Sequence, residues 1–484
     1  VQGNLTVSVG ATLQLPTSTL TLNGNIINNG TLDGAPGTLI LNGTAKTITG
    51  GFTIKELIVN GEYNVISGNL TINDNIDVSA TGDFDVGGTS TTVHGNLTNS
   101  GILFSSGITT FTGLQAQTIQ LNNSISSTST GVVNFNGSVS PILNSNTSPT
   151  LATVNINNTA PINPSQAWTV AVSMNVAAGA TWNGGALNHV MGRNFVNNGT
   201  VTSSGTLSFI PTAPFPNATI NLGNNFITTG TVVFGGTVPI TLVDNTPSFT
   251  SVDITNTAAT GLTAATNWTV AENLFIGAGA EFKAGTGLTH TISGEWTNNG
   301  TFSGGTSSVI FNSNTGLDEI TGSGINNFYN ITFDVGSSMD VTSDIFVSRN
   351  FTNNATALNL TNADVSFTSA TPSVIDGTTI TDFSELVIDK TASSVRLDND
   401  IIVEQLLTLT NGTLNLNANE LSITSSSATA ITRTNGYILS EDNAYNSLVN
   451  WAIGTDANPH IFPFGNSTSD YIPFTFDLST GDAG

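Results

Sequence analysis

The 484-residue chain has no cysteine. Disulfides, thiolate catalysis and Cys-ligated metals are removed together, and stability is left to architecture rather than to covalent staples. Charge is also scarce. Charged residues make up 8% of the sequence, with 32 acidic side chains against 8 basic ones and a formal net charge of −24. The cations Lys46, Lys55, Arg193, Lys283, Arg349, Lys390, Arg396 and Arg433 are too scattered to neutralise a run of phosphates, so nucleic acid is not an expected partner. A surface of anionic lipids would repel the chain, and no apolar run approaches the roughly 18 to 20 residues that span a bilayer. Membrane insertion is therefore not expected. The start, Val1-Gln-Gly-Asn-Leu-Thr, lacks a charged n-region and an apolar h-region, so a signal peptide is expected to have been removed or to lie upstream of a fragment.

What the sequence has instead is uncharged polarity and apolar bulk: 50 glycines, many Asn, Thr and Ser, 38% hydrophobic residues and 25 phenylalanines. So low a charge density is too weak to offset burial of that apolar surface, and a packed fold follows. Internal repetition is the strongest signal. The stretch from Trp168, WTVAVSMNVAAGATWNGGA, matches WTVAENLFIGAGAEFKAGT from Trp268, with Gly179/Gly279 and Ala180/Ala280 in register. Upstream, Thr153-Val-Asn-Ile-Asn-Asn-Thr-Ala matches Ser251-Val-Asp-Ile-Thr-Asn-Thr-Ala. Downstream, Phe195-Val-Asn-Asn-Gly-Thr-Val matches Trp296-Thr-Asn-Asn-Gly-Thr-Phe. Weaker echoes are Ile26-Ile-Asn-Asn-Gly-Thr-Leu, Leu97-Thr-Asn-Ser-Gly-Ile-Leu and Phe351-Thr-Asn-Asn-Ala-Thr-Ala. The repeat positions are thus Asn28, Asn29, Gly30, Asn197, Asn198, Gly199, Asn298, Asn299 and Gly300, with the aromatics Trp168, Trp268, Trp296, Phe195 and Phe351.

Inside these units the hydrophobic period is two, as in Leu20-Thr-Leu-Asn and Leu414-Asn-Leu-Asn, so side chains alternate between the faces of short strands. No helical stretch is needed anywhere. A β-sandwich array would fit the long duplication alone. The smaller echo of Gly68-Asn-Leu-Thr-Ile at Gly95-Asn-Leu-Thr-Asn, 27 positions on, favours coils of roughly 20 to 30 residues. The expected fold is therefore all-β: a right-handed parallel β-solenoid (β-helix) rod with a short aromatic-rich C-terminal β segment. Residues 1–446 are expected to form the repeats, with the clearest duplicated units at about 152–250 and 251–348, each of roughly four or five coils. Residues 447–484 would be a cap or the start of a further β domain. About twenty coils at the strand spacing would extend about 100 Å. Asn at corners is expected to form amide ladders, and Gly and Asn to supply left-handed corner conformations.

The strings FVNNGTV at Phe195, WTNNGTF at Trp296 and LTLTNGTLNLNANELSI from Leu407 resemble the Asn/Thr/Gly-rich repeat regions of large secreted surface proteins of Bacteroidetes, including gliding-type adhesins. The resemblance covers most of the chain, to about residue 446. The tail from Val449, with VNWAIGT, IFPFGN and YIPFTF, is similar to the segment C-terminal to such repeats in that family. It implies export by the type IX secretion system to the cell surface of a Gram-negative bacterium. A sorting domain is not visible, which implies cleavage on export or a fragment.

Candidate chemistry is thin. Asp340, Asp344 and the run Asp398-Asn-Asp400 are the acidic positions to test against a polysaccharide-cleaving site, and the expected role is solvent-facing corners. His94, His189, His290 and His460 lie far apart, and His189 and His290 share the repeat offset, so surface or corner positions are expected of them. Trp168, Trp182, Trp268 and Trp296 are candidate sugar platforms. The interchange of Trp182 with Phe282, and of Phe195 with Trp296, points instead to core packing. No cofactor or metal is expected. The function expected is a non-enzymatic cell-surface structural or adhesive rod that spaces or presents a binding region. Its partners would be surface glycans, other surface proteins or further copies of itself. The alternative is a polysaccharide lyase or hydrolase on a β-helix, which a carboxylate cluster along stacked coils would favour. An ice- or crystal-surface binder, on rows such as Thr17, Thr19 and Thr21, is a third class that the irregular repeat spacing disfavours.

Overall fold

The computed structural model describes residues 1–122, 130–313, 316–441, 446–466 and 470–478, and every regular element among them is a β-strand. The chain divides into two compact units, Val1–Pro247 and Ser248–Gly484. That division falls inside the stretch read as one repeat array, beside the start of the second duplicated segment at Ser251. Both units are β-solenoids of parallel stacked coils.

In the first unit a coil is three strands long. One turn uses the Leu57–Val59 end of strand Phe52–Val59, then Glu62–Ser67 and Leu70–Ile72; the next uses Ile76–Val78, Asp83–Asp85 and Ser90–Val93; the third uses Leu97–Asn99, Ile102–Phe104 and Ile108–Phe111. Like strands pair in parallel: Leu57 with Ile76 and Ile76 with Leu97, Tyr63 with Phe84 and Phe84 with Leu103. The period-two alternation turns all six of these side chains inward, where they are buried in columns. The Gly-Asn-Leu-Thr echo does not mark the coil. Leu70 pairs with Thr91, whereas Leu97 pairs with Ile76, so the two words lie on different sides of the turn. The coil is shorter than the echo, with register partners such as Ile76 and Leu97 lying 21 positions apart.

The second unit repeats the plan. Leu274–Ile276, Glu281–Lys283 and Thr289–Ile292 form one turn, and Trp296–Asn298, Thr301–Ser303 and Ser308–Phe311 the next. Leu274 stacks on Trp296, Phe282 on Phe302 and Ile292 on Phe311. A run of ring contacts then links Phe311, Phe333, Phe351 and Phe383, with centroids 5.6, 5.6 and 5.5 Å apart; Phe311 and Phe333 are register partners, whereas Phe351 is in register with Ile331. Past residue 446 the stacking continues: Leu448–Trp451 pairs in parallel with Glu420–Ile423, and Phe464–Gly465 with Tyr437–Leu439. His460–Phe462 then pairs antiparallel with Phe474–Phe476, where the aromatic-rich end departs from the coil pattern.

Candidate functional site

The Asn-Asn-Gly word builds a corner, and its two asparagines do different work. The first is buried: Asn197 at 1% exposure and Asn298 at 0%. Asn197 Oδ1 accepts from Gly199 N at 3.1 Å, while its Nδ2 donates to Leu222 O of the next coil at 2.8 Å. Asn298 repeats this, accepting from Gly300 N at 2.9 Å and donating to Ile325 O at 2.9 Å. Asn28 accepts from Gly30 N and donates to Gly51 O, and Asn353 accepts from Ala355 N and donates to Thr381 Oγ1. A buried amide thus satisfies the backbone within its own turn and ties it to the next coil, as buried polar groups must be satisfied. Asn29, Asn198 and Asn299, the second asparagines, are exposed.

Glycine in this corner answers a steric demand rather than a dihedral one. Positive φ occurs at Gly10, Gly179 and Gly279, and also at non-glycines such as Ala45 and Ala392, but not at Gly30, Gly199 or Gly300. At Gly300 a Cβ would lie 2.3 Å from Ala280 O and 2.4 Å from Gly277 O, both in the turn one coil earlier. The expected amide ladders occur at corners, where Asn60 Nδ2 donates to Asn42 Oδ1 at 2.9 Å and Asn157 Nδ2 to Asn136 Oδ1 at 2.8 Å, and also along strands, where Asn175 Nδ2 donates to Asn155 Oδ1 at 2.7 Å and Asn155 Nδ2 to Asn134 Oδ1 at 2.8 Å.

All four candidate tryptophan platforms are interior. Trp168, Trp268 and Trp296 are 1% exposed and Trp182 is 0%. Phe195 and Phe351 are likewise buried. Trp296 Nε1 donates to Asn326 Oδ1 at 3.0 Å, the same oxygen that receives Asn298 Nδ2 at 2.9 Å, and Asn326 Nδ2 donates to Ser343 Oγ at 2.9 Å. A repeat aromatic, a corner asparagine and two neighbouring coils therefore share one buried network.

The expectation that the repeat histidines lie at the surface is overturned. His189 and His290 are 0% and 2% exposed. His189 Nδ1 accepts from Trp168 N at 3.0 Å, which leaves Nε2 to donate to Gly184 O at 3.0 Å. His290 does the same with Trp268 N at 3.2 Å and Ala284 O at 2.7 Å. Both rings bridge two coils as neutral imidazoles, and burial holds the His189 pKa below its ordinary value. His460 is also buried, its ring 4.8 Å from Trp451, whereas His94 is half-buried and bonds Thr112 Oγ1 at 2.9 Å. The sequence signal for the pairing was available, because each Trp lies one coil before its His.

The carboxylates singled out in the sequence are held locally. Asp398 Oδ2 accepts from Arg396 at 2.6 Å, Asp400 Oδ1 from Glu420 N at 2.8 Å, Asp340 Oδ1 from Asn359 at 2.9 Å and Asp344 Oδ1 from Asp364 N at 3.1 Å. Two rows of acids on neighbouring coils were missed. In the first unit Glu62 pairs in register with Asp83, and Asp83 and Asp85 lie on one strand; together with Lys46, Ile102 and Phe104 they line a groove of about 510 Å³. Partial burial, then Glu62 and Asp85, raises the Asp83 pKa. In the second unit Asp364 pairs in register with Glu385 and donates its backbone N–H to Asp344 Oδ1; partial burial, then the neighbouring acids, raises the pKa of both Asp364 and Glu385. Among the described residues no group of three or more His, Asp or Glu side chains is placed to hold a metal ion.

One cation was also missed. Lys390 is fully buried, and its Nζ donates to Ser348 O, Thr368 O, Ser369 Oγ and Ser373 Oγ at 3.0, 2.7, 3.1 and 2.7 Å. Burial pushes its pKa down to about 8. A second, wider groove of about 890 Å³ lies beside it, lined by Ser, Thr and Asn side chains and Tyr437. No family model, curated protein or solved structure matches the chain.

Proposed function

We propose that the chain is a non-enzymatic structural or adhesive component of a Gram-negative cell surface, exported by the type IX route, which spaces or presents a binding region. The observation that carries this reading is where the chemically capable repeat residues go. In both units the repeat Trp, His and first Asn side chains are spent on joining one coil to the next, so the duplicated words encode stacking. Surface glycans, other surface proteins and further copies of the chain are the partners this reading admits. Incubation of the intact protein with pectin, alginate, chitin and soluble glucans, with and without calcium, is expected to release no soluble products. Reproducible turnover that disappears in Asp83→Asn would contradict it.

A second reading, hydrolysis of a polysaccharide, is favoured by the Glu62/Asp83/Asp85 row, since a carboxyl with a raised pKa beside further carboxylates is the equipment of general acid catalysis. The same incubation separates the two readings. Turnover unaffected by Asp83→Asn but lost in Asp398→Asn would place the chemistry on the sequence-predicted acids instead.

A further inference from the structure

We infer that the second unit carries a binding groove for a neutral polysaccharide, running across successive coils between Ala370 and Leu439. Such a site adds attachment to the spacing role, and its loss would leave that role intact.

The groove originates in a mismatch of register. Asp389 pairs with Asn411 and Ser394 with Thr413, so Lys390–Ser393 must arch around the single residue Gly412. Gly412 has φ of +80°, and a Cβ there would meet Ser393 O at 2.5 Å and Lys390 O at 2.6 Å, so the arch closes down on bare backbone. From beneath, the buried Lys390 ammonium pins the arch to Ser348, Thr368, Ser369 and Ser373. Above, Ala392 stands at φ of +58°. An arch anchored at both faces is a preorganised wall, which lowers the ordering cost of binding.

The outward side chains then repeat with the coils. Ser394 is in register with Thr413 and Thr413 with Tyr437, while their sequence neighbours Val395, Leu414 and Ile438 point into the core. Thr391, Ser394, Asn411, Thr413, Asn415 and Tyr437 give the groove hydroxyls, amides and one aromatic ring. Among the described residues no charged side chain lines it, and the nearby Asp389 is already engaged by Asn411 Nδ2 at 2.8 Å. An anionic polymer would lose its hydration without gaining a cation and would meet a protein of net charge −24. The same polar contacts recurring at about 4.8 Å intervals suit a polymer that is itself uncharged, hydroxyl-rich and repetitive, with the tyrosine ring as its apolar platform.

Affinity electrophoresis of the full chain tests this, in native gels containing xyloglucan, galactomannan or mixed-linkage glucan, with alginate and polygalacturonate gels in parallel. At least one neutral polymer is expected to retard the protein, and the anionic ones to leave it unretarded. Thr391→Glu and Thr413→Glu, both on the outer face, should each weaken that retardation at least tenfold while the thermal unfolding midpoint stays that of the parent. Lys283→Ala should bind as the parent does. Absence of retardation by every neutral polymer, retardation by anionic polymers alone, or full retention in both Glu variants would overturn the groove assignment. None of these results touches the spacing role, which the turnover assay addresses separately.

Discussion

Trp296→Ala is expected to lower the unfolding free energy by about 3 to 5 kcal/mol, the range for deleting a large buried aromatic together with the cavity it leaves. The indole is 1% exposed and packs at 4.8, 5.7 and 5.8 Å from the rings of Phe302, Phe328 and Phe311. Its stacking partners Leu274 and Ile320 belong to the coils on either side, so the cavity would weaken two coil interfaces at once. Removal of Nε1 also takes one donor from Asn326 Oδ1, although Asn298 Nδ2 remains there. Lys283→Ala is the matched control. Its ion pair with Glu281 at 3.4 Å and its bond to Thr260 O at 2.7 Å are at the surface, and the change should stay within about 0.5 kcal/mol. Urea unfolding of both variants decides the point. If Trp296→Ala kept its stability but lost attachment to glycans or cells, the side chain would be a binding platform and the core assignment would fail.

Gly300→Ala should cost about 3 kcal/mol, at the upper end of the overpacking range, even though it adds a single methyl. The added carbon would stand 2.3 and 2.4 Å from two backbone carbonyl oxygens, and neither belongs to a side chain free to swing away. The corner hydrogen bond does not itself demand glycine, since Ala355 donates to Asn353 Oδ1 at 3.1 Å in the equivalent place. The demand at Gly300 comes from the turn below it, Gly277–Ala280, where Ala280 N bonds back to Gly277 O at 3.0 Å. Gly88→Ala, with nothing within 4 Å of the new carbon, is expected to change stability by no more than about 0.5 kcal/mol. Equal midpoints for the two variants would show that the coils separate freely at this corner.

Strand alternation and the repeat words were legible in the sequence because both are local. Leu414-Asn-Leu-Asn states its own inward and outward faces, and the burial of Leu414 and Leu416 follows from period two alone. Coil register was not legible. A coil passes three strands of similar composition, so the same four-residue word at Gly68 and Gly95 falls on different sides and its spacing overstates the turn. The repeat histidines were misplaced because a shared repeat offset makes His189 and His290 equivalent without saying which way they face, although one coil length already separated each from the backbone N–H it caps. Lys390 and the Glu62/Asp83 row had no signal within the chain's own words. Their environments come from residues one or two coils away, as Ser348 O and Lys390 Nζ show across 42 positions. The two asparagines of the corner look alike in sequence, and only the stacking of the next coil distinguishes the buried one from the exposed one.

The central claim is that neighbouring coils stack in parallel and in register, and the absence of cysteine allows it to be tested directly. Thr297 and Thr321 face each other on adjacent coils, with hydroxyls 3.3 Å apart across 24 positions of sequence. Paired strands are about 4.8 Å apart, within the Cα separation that a disulfide tolerates. In Thr297→Cys/Thr321→Cys, mild oxidation should yield an intramolecular disulfide that joins the two peptides carrying these positions in non-reducing mass spectrometry. Thr297→Cys/Thr342→Cys, two coils apart at about 9.6 Å by the same spacing, should remain reduced. Efficient closure of the second pair, or failure of the first in folded protein, would contradict the stacked-coil account.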